Sequence, residues 1–135
     1  MTPPRTPGRT TAVVALAAAL TPAAALPARA GGDDLPHSCI ASWYGAPEEQ
    51  LDGWPTASGE PFDPEAMTAA SRDLPFGTRV RVTNAGTGDS VMVRINDRGP
   101  RDVRRCIDLT RGAFGEIAAL GEGLVRVNLA PSLVR

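Results

Sequence analysis

The segment Thr78–Pro100, TRVRVTNAGTGDSVMVRINDRGP, decides the fold class of this chain. Apolar residues alternate with polar ones over Thr78–Asn84 and again over Ser90–Asn96, which is the spacing of half-buried β-strands. The segment Ala85–Asp89 between them contains two glycines and predicts a hairpin loop. Asn96–Pro100 ends the second strand with residues that favour a tight turn. The segment therefore predicts an antiparallel hairpin that leads directly into a turn.

Shorter periodic segments flank this hairpin and predict a small, mainly β barrel. Gly45–Pro64 is rich in Pro, Gly, Asp and Glu and predicts a long loop. Arg111–Leu120 predicts the one helix, with Thr110 as its N-cap and Gly121 as its C′ residue. Closing five or six short strands into a barrel removes unpaired strand edges. The remaining strands are predicted at Cys39–Tyr44, Met67–Ala70, Cys106–Leu109 and Leu124–Leu129.

Length and composition favour a single domain and exclude several classes of protein. The chain has 135 residues, and its 14 Gly and 13 Pro argue against a coiled coil or a helical bundle. The formal net charge is −1, so bulk charge provides no basis for nucleic-acid binding. No long apolar run follows the N-terminal segment, which excludes a polytopic membrane protein.

Residues 1–30 have the pattern of an export signal. Arg5 and Arg9 precede the Ala-, Val- and Leu-rich run Thr11–Leu26, and Ala28–Ala30 supplies a small-x-small cleavage pattern. A single-pass anchor is the alternative, but the apolar run is short and rich in alanine. We expect a linker at 31–38, a folded domain at 39–130 and a C-terminal tail at 131–135.

The mature protein is expected to carry no stable membrane anchor. Cys39 lies too far downstream of the apolar run to serve as a lipid-modified cysteine. We therefore expect an exported monomer that resides in the periplasm or is secreted to the cell wall.

Cys39 and Cys106 are the two cysteines of the chain. In an oxidising compartment they favour a disulfide, which would stabilise the fold by about 4 kcal/mol through loop closure. Two separately buried thiols are the alternative. Two cysteines and one histidine without paired spacing are too few ligands for a metal site, so no bound metal is expected.

Two aspartates are the candidates for acid–base chemistry. Asp97 lies at the end of a predicted strand and directly before a turn, where a side chain can meet a ligand. Asp108 lies on the next predicted strand, and two carboxylates can divide acid and base work in glycoside cleavage. The alternative is structural, because an Asn-Asp pair before Arg-Gly-Pro also suits an Asx turn.

Aromatic side chains are candidates for contacts with sugar rings. Trp43, Tyr44, Trp54, Phe62 and Phe76 lie in or beside the predicted loops, and flat rings can stack on the apolar faces of sugars. The alternative is that most of them belong to the core. Trp43 and Tyr44 are neighbours on a strand, so their side chains are expected on opposite faces.

Nucleophilic catalysis has little support in the sequence. Ser58, Ser71 and Ser90 lack the Gly-x-Ser-x-Gly context of an activated serine. The single histidine, His37, lies in the predicted linker, where a solvated side chain is expected.

Seven short motifs follow one another through the mature part of the chain. They are ASWYG at 41–45, TASGEPF at 56–62, MTAA at 67–70, LPFGT at 74–78, VRVTN at 80–84, VRINDRGP at 93–100 and IDLT at 107–110. Each motif is weak alone, but together and in this order they resemble the RlpA-like family, the bacterial septal-ring lytic transglycosylases.

The resemblance implies a fold and an activity. The fold would be a six-stranded double-psi β-barrel with one or two short helices, related to the first domain of expansins. The substrate would be the glycan strands of peptidoglycan, cleaved without water between N-acetylmuramic acid and N-acetylglucosamine. The product would carry a 1,6-anhydro ring, and no metal or cofactor would be required.

The same resemblance implies roles for individual residues. The acidic residue of the family's Asn-Asp-Arg-Gly-Pro motif falls on Asp97, which would be the general acid and base. Substrate contacts are expected from Trp43, Tyr44, Thr56, Ser58, Glu60, Asn96, Arg98 and Asp108.

Ser71 is the main departure from the family pattern. The family usually has a histidine at this position, where it is thought to work with the aspartate. A serine hydroxyl can form a hydrogen bond but does not titrate near neutrality. The neighbouring Arg72 is expected to point to the other face of the extended chain.

Two classes of function therefore stay open. The first is a peptidoglycan lytic transglycosylase that uses Asp97. The second is an expansin-like barrel that binds glycan without cleaving it, which Ser71 favours. A small secreted scaffold that binds another protein is a third reading, with the least support.

Overall fold

A computed structural model describes residues 37–132 of the chain, together with the isolated positions 2–4, 8 and 15. The predicted export signal and most of the predicted linker lie outside the described residues. In the described part, no helix is both long and apolar enough to cross a membrane.

Six strands close into a barrel, which confirms the predicted fold class. The strands are β1 (His37–Tyr44), β2 (Thr68–Ala70), β3 (Arg79–Asn84), β4 (Ser90–Asp97), β5 (Arg105–Thr110) and β6 (Leu124–Ser132). Their order around the barrel is β1-β5-β2-β4-β3-β6, with β6 pairing back to β1. The β1–β5 and β2–β4 pairs are parallel and the other four pairs are antiparallel.

The inward faces of the strands form one apolar core. The alternating residues of the predicted hairpin are buried as expected, and each buried aliphatic side chain contributes roughly 1.5–3 kcal/mol. The short helix α1 (Arg111–Gly115) closes one end of the barrel with Phe114. The core includes Val80, Val82, Val93, Ile95, Ile107, Leu109, Phe114, Ile117 and Val127.

The prediction of a helix over Arg111–Leu120 is wrong in length. The Thr110 side chain accepts a hydrogen bond from the Ala113 N–H, which confirms the predicted N-cap, but α1 ends at Gly115. A Cβ on Gly112 would lie 2.8 Å from the Glu65 carbonyl oxygen, so close packing requires a residue that is a poor helix former. The predicted C′ residue, Gly121, instead lies in a separate 3-10 turn at Leu120–Glu122.

Both terminal strands extend beyond their predicted ends. β1 begins at His37, because His37 pairs with Leu129 on β6. β6 continues through Pro131 and Ser132, which pair with β3. The barrel therefore takes in two residues from the predicted linker and two from the predicted tail.

The disulfide between Cys39 and Cys106 is formed, as predicted, and joins β1 to β5. The β1–β5 register shifts here, because Ile40 pairs with Arg105 whereas Ala41 pairs with Ile107. Arg105 and Asp108 are three residues apart and would face opposite sides of a regular strand. The irregularity allows both side chains to approach Ser42.

Candidate functional site

Asp97 is the last residue of β4, and its half-buried carboxylate is held by three donors. The Tyr44 hydroxyl donates to Oδ2 over 3.1 Å. The main-chain N–H groups of Ala57 and Arg98 both donate to Oδ1 over 2.9 Å. The carboxylate is thus oriented from three segments of the chain while it remains partly open to solvent.

The turn after Asp97 depends on its local sequence. Gly99 has a φ of 134°, a conformation that residues with a side chain rarely adopt. On the other side of β4, the Ser71 N–H donates to the Asp97 carbonyl oxygen over 3.1 Å and ties the end of β2 to the same point. These contacts place Asp97 where two strands end together.

Asp108 forms a second polar group beside the first. The Ser42 hydroxyl donates to Asp108 Oδ1 over 2.9 Å, and the Arg105 guanidinium donates to Ser42 Oγ over 2.9 Å. Burial raises the pKa of Asp108, and the negative charges of Glu49 and Asp97 raise it further, while Ser42 and Arg105 oppose the shift.

Tyr44 lies between the two carboxylates. Burial is the largest cause that raises the pKa of its hydroxyl, followed by the charge of Asp97 and its hydrogen bond, and then the charge of Asp108. The hydroxyl therefore stays protonated and acts as a hydrogen-bond donor to Asp97. Its ring packs against Phe62, with ring centroids 4.8 Å apart.

The raised pKa of Asp108 predicts a pH-dependent difference in stability. A carboxyl whose pKa is higher in the folded state favours folding most below its unfolded value, and this contribution is lost as the pH rises through the folded value. Asp108→Asn keeps a carbonyl acceptor for Ser42 and cannot ionise. As the pH rises from 4 to 7, we expect the unfolding free energy of the parent to fall relative to that of the variant.

Urea denaturation at several pH values measures this difference. Asp89→Asn is the matched control, because Asp89 lies in the exposed β3–β4 loop and its carboxylate makes no hydrogen bond in the described part of the chain. A constant offset between Asp108→Asn and the parent across the pH range would contradict the prediction.

A hairpin formed by residues 53–62 covers the end of β4. Its two arms are joined by hydrogen bonds from Phe62 N–H to the Trp54 carbonyl and from Thr56 N–H to the Glu60 carbonyl. Its tip docks through the Ser58 N–H, which donates to the Asn96 carbonyl over 3.2 Å. This docking is what brings the Ala57 amide to Asp97. We call residues 53–62 the 53–62 hairpin.

Several of the residues predicted to bind substrate also stabilise this hairpin. The Glu60 carboxylate forms a two-pronged ion pair with the Arg94 guanidinium, at 2.6 and 2.7 Å, and this pair lowers the pKa of Glu60. The Thr56 hydroxyl donates to the Glu60 carbonyl over 2.8 Å and contacts the Ser58 hydroxyl at 3.0 Å. Asn96 is buried beneath the hairpin tip. The side-chain hydrogen bonds of Thr56, Ser58 and Glu60 thus lie within the hairpin or join it to β4.

Ser71 is engaged in a turn and makes no hydrogen bond to the Asp97 side chain. Its Oγ accepts hydrogen bonds from the main-chain N–H groups of Leu74, at 3.1 Å, and Asp73, at 3.3 Å. Arg72 points elsewhere and donates to the carbonyl oxygens of Pro100 and Arg105. The Ser71 hydroxyl thus caps the turn at Asp73 and Leu74.

Arg98 and Trp43 also have contacts that were not predicted. The Arg98 guanidinium donates to the Ser71 and Leu74 carbonyls and stacks 3.8 Å from the centre of the Phe76 ring. The Trp43 indole donates to the Leu120 carbonyl over 3.1 Å and packs near Phe114, on the opposite face of β1 from Tyr44. Of the two adjacent aromatics, only Tyr44 reaches Asp97.

Two groups that contribute to the site could not be predicted from residue types. The Ala57 N–H acts through the main chain, and an alanine gives no indication of such a role. Arg105 approaches Ser42 only because the strand register shifts at Cys106. In the described part of the chain, no three His, Cys, Asp or Glu side chains come together in a way that could hold a metal ion.

The closed six-stranded barrel, with its parallel β1–β5 and β2–β4 pairs, is a double-psi β-barrel. Residues 37–129 match the sequence model of the lytic transglycolase family, so the chain belongs to that family. This result confirms the resemblance that the seven motifs indicated.

Individual relatives agree with this assignment. The chain is 53% identical over 109 residues to a probable endolytic peptidoglycan transglycosylase RlpA from Nostoc sp., a match that covers 80% of this chain and 29% of the relative. It is 42% identical over 89 residues to the endolytic peptidoglycan transglycosylase RlpA of Neisseria meningitidis, covering 66% of this chain and 36% of that protein. The chain therefore spans only about a third of the length of these relatives.

Solved structures share the fold at lower sequence identity. The Streptomyces papain inhibitor superposes with a TM-score of 0.56 at 23% identity, covering 70% of this chain and 92% of the inhibitor. An expansin from Clavibacter michiganensis superposes with a TM-score of 0.59 at 19% identity, covering 75% of this chain and 52% of the expansin. These similarities concern the fold alone.

Proposed function

We propose that this domain cleaves the glycan strands of peptidoglycan by lytic transglycosylation, with Asp97 as the general acid and base. The observation that carries the proposal is the half-buried Asp97 carboxylate, oriented by Tyr44, Ala57 and Arg98 at the end of β4. The names of the relatives support the substrate class. The disulfide suits an oxidising compartment, which supports export to the periplasm or the cell wall.

The proposed reaction needs one carboxyl group and no water. Protonated Asp97 gives its proton to the glycosidic oxygen as the bond from that oxygen to C1 of N-acetylmuramic acid breaks. The resulting carboxylate then takes the proton of the C6 hydroxyl of the same sugar, whose oxygen bonds to C1. This closes the 1,6-anhydro ring and returns Asp97 to its protonated form.

The hydrogen bonds of Asp97 indicate which of its oxygens transfers the proton. Each carboxylate oxygen has two lone pairs. The Ala57 and Arg98 amides occupy both positions at Oδ1, whereas Tyr44 occupies one position at Oδ2. In this proposal the remaining position at Oδ2 carries the transferable proton, and Tyr44 is a positioning residue.

Tyr44→Phe tests this role for the hydroxyl. Loss of one hydrogen bond to a charged group costs roughly 1.5 kcal/mol, so we expect kcat to fall about tenfold. The Phe side chain keeps the ring that packs against Phe62, so the unfolding midpoint should change little. A kcat equal to that of the parent, measured by release of 1,6-anhydro ends, would remove Tyr44 from the proposed mechanism.

The alternative function is a barrel that binds glycan strands without cleaving them. It is favoured by Ser71, because a serine hydroxyl does not titrate near neutrality and therefore gives Asp97 no titratable partner at that position. The hydroxyl is also engaged by the Asp73 and Leu74 amides.

A digest of purified glycan strands, with and without stem peptides, separates the two functions. Mass spectrometry of the products should find 1,6-anhydro-N-acetylmuramic acid ends with the parent protein. Hydrolytic reducing ends, or no cleavage at all, would contradict the proposed reaction. Cleavage that occurs only with Ser71→His would support the binding barrel.

A further inference from the structure

Two of the six aromatic side chains are largely exposed, and both belong to segments that contact the Asp97 region. Trp54 is 66% exposed and Phe76 is 43% exposed. Trp54 lies on the 53–62 hairpin, whose Ala57 amide donates to Asp97. Phe76 lies beneath the guanidinium of Arg98, which follows Asp97 directly. The four other aromatic side chains are buried or half-buried.

The hairpin pairing places Trp54 opposite Phe62. Pro55 and Pro61 face each other across the hairpin, so Trp54 and Phe62 occupy the next pair of opposite positions. Opposite residues in an antiparallel pair project from the same face. Trp54 therefore projects from the same face of the hairpin as Phe62, whose ring packs on Tyr44, and Tyr44 in turn donates to the Asp97 carboxylate.

The hairpin that carries Trp54 is held firmly against the barrel. The Ser58 amide binds the Asn96 carbonyl, and the Glu60 carboxylate forms two hydrogen bonds with Arg94 on β4. A large apolar ring is thus presented to solvent on a fixed support. A rigid indole loses little conformational freedom on binding, and its flat face suits the CH groups of a sugar ring.

We propose that Trp54 is a glycan-binding residue, whose indole stacks on a sugar ring of the strand at a subsite removed from the bond that is cleaved. This inference rests on the proposed function, because it takes the ligand to be a glycan strand. Phe76 is less suited to the role, since the Arg98 guanidinium already covers one face of its ring. An extended glycan strand, longer than the two sugars at the cleaved bond, is the substrate that such a subsite selects.

Binding is best measured in a background that cannot turn over the ligand. We would titrate purified, peptide-free glycan strands into Asp97→Asn protein by isothermal calorimetry, and compare it with Asp97→Asn combined with Trp54→Ala, Trp54→Phe or Val103→Ala. Val103 is the control, because it is 82% exposed and lies on the loop between β4 and β5.

The expected results follow from loss of one stacked ring. The dissociation constant should rise about tenfold for Trp54→Ala, rise less for Trp54→Phe and stay within about twofold for Val103→Ala. In the Asp97-containing protein, Trp54→Ala should raise KM for long strands and leave kcat unchanged. A purely structural role would instead lower the unfolding midpoint and kcat together.

The outcomes separate this inference from the proposed reaction. Weaker binding by Trp54→Ala, together with no cleavage by the parent, would support the glycan subsite and reject the transglycosylase. Cleavage by the parent with unchanged binding by Trp54→Ala would overturn the subsite alone. Failure of the Asp97→Asn protein to bind glycan strands would overturn the Trp54 subsite as well.

Discussion

Asp97→Asn is expected to slow the formation of 1,6-anhydro ends by about 10³-fold while the barrel stays folded. The amide has nearly the same shape as the carboxyl group, and its oxygen still accepts the N–H groups of Ala57 and Arg98 that hold Oδ1. Its NH₂ group replaces Oδ2 and can neither give nor take the proton that the reaction moves. Since general acid–base catalysis contributes typically 10²–10⁴-fold, we expect the rate to fall by about 10³-fold.

The control for this variant is Asp89→Asn, which makes the same chemical change in the exposed loop between β3 and β4. Both variants should show the near-UV circular dichroism and the unfolding midpoint of the parent, and Asp89→Asn should also keep the parental rate. A rate for Asp97→Asn within about threefold of the parent would remove the carboxyl group from the reaction. The general acid would then have to be sought at Asp108, the other carboxyl group beside Tyr44.

Replacement of both cysteines by alanine is expected to cause the largest loss of stability. The bond joins positions 67 residues apart, and closing a loop of this size stabilises a fold by about 4 kcal/mol in the chain-entropy model. Domains of this size have only about 5–15 kcal/mol of stability, so the variant should unfold at a much lower urea concentration. The double substitution avoids leaving one free thiol.

Reduction provides an independent check on the same quantity. Dithiothreitol should lower the urea midpoint of the parent toward that of the Cys39→Ala, Cys106→Ala variant and leave the variant itself unchanged. A loss of less than about 1 kcal/mol would mean that strand pairing alone holds β1 against β5. Activity should fall with stability, because β1 carries Ser42 and Tyr44 and β5 carries Asp108.

Whether the domain is an enzyme or a binding barrel depends on how much catalysis Asp97 provides without a titratable side chain at position 71. The Ser71 hydroxyl caps the Asp73–Leu74 turn, and the Arg98 guanidinium donates to the Ser71 carbonyl oxygen. Ser71→His would therefore both introduce an imidazole and remove a turn cap. Its stability should be measured beside its activity, so that a loss of fold is not taken for a loss of chemistry.

Much of the fold could be predicted from local patterns. The alternation of Val80, Val82, Val91, Val93 and Ile95 predicts the central hairpin and its buried face, because a strand exposes successive side chains to opposite sides. The order of the seven motifs indicated the family, and the turn residues after Asp97 predicted the end of β4. These features depend on residues close together in the chain.

Some errors arose where a distant segment changed a local preference. The segment after Thr110 contains Gly112, a poor helix former that packs closely on the Glu65 backbone, and α1 ends at Gly115. β6 runs on to Ser132 because β3 offers it a partner. Neither contact can be predicted from the residue spacing of the segment that it affects.

The sequence alone predicts the approximate positions of the strands, the two cysteines that can pair, the family and the position of Asp97 at a strand end. Only the closed barrel decided which groups face that carboxylate. Closure selected Tyr44 rather than Trp43, brought in the Ala57 amide from 40 residues away and assigned Ser71 to a turn. The physical reason is that residue type and spacing encode local conformation, whereas the neighbours of a side chain depend on how distant segments pack together.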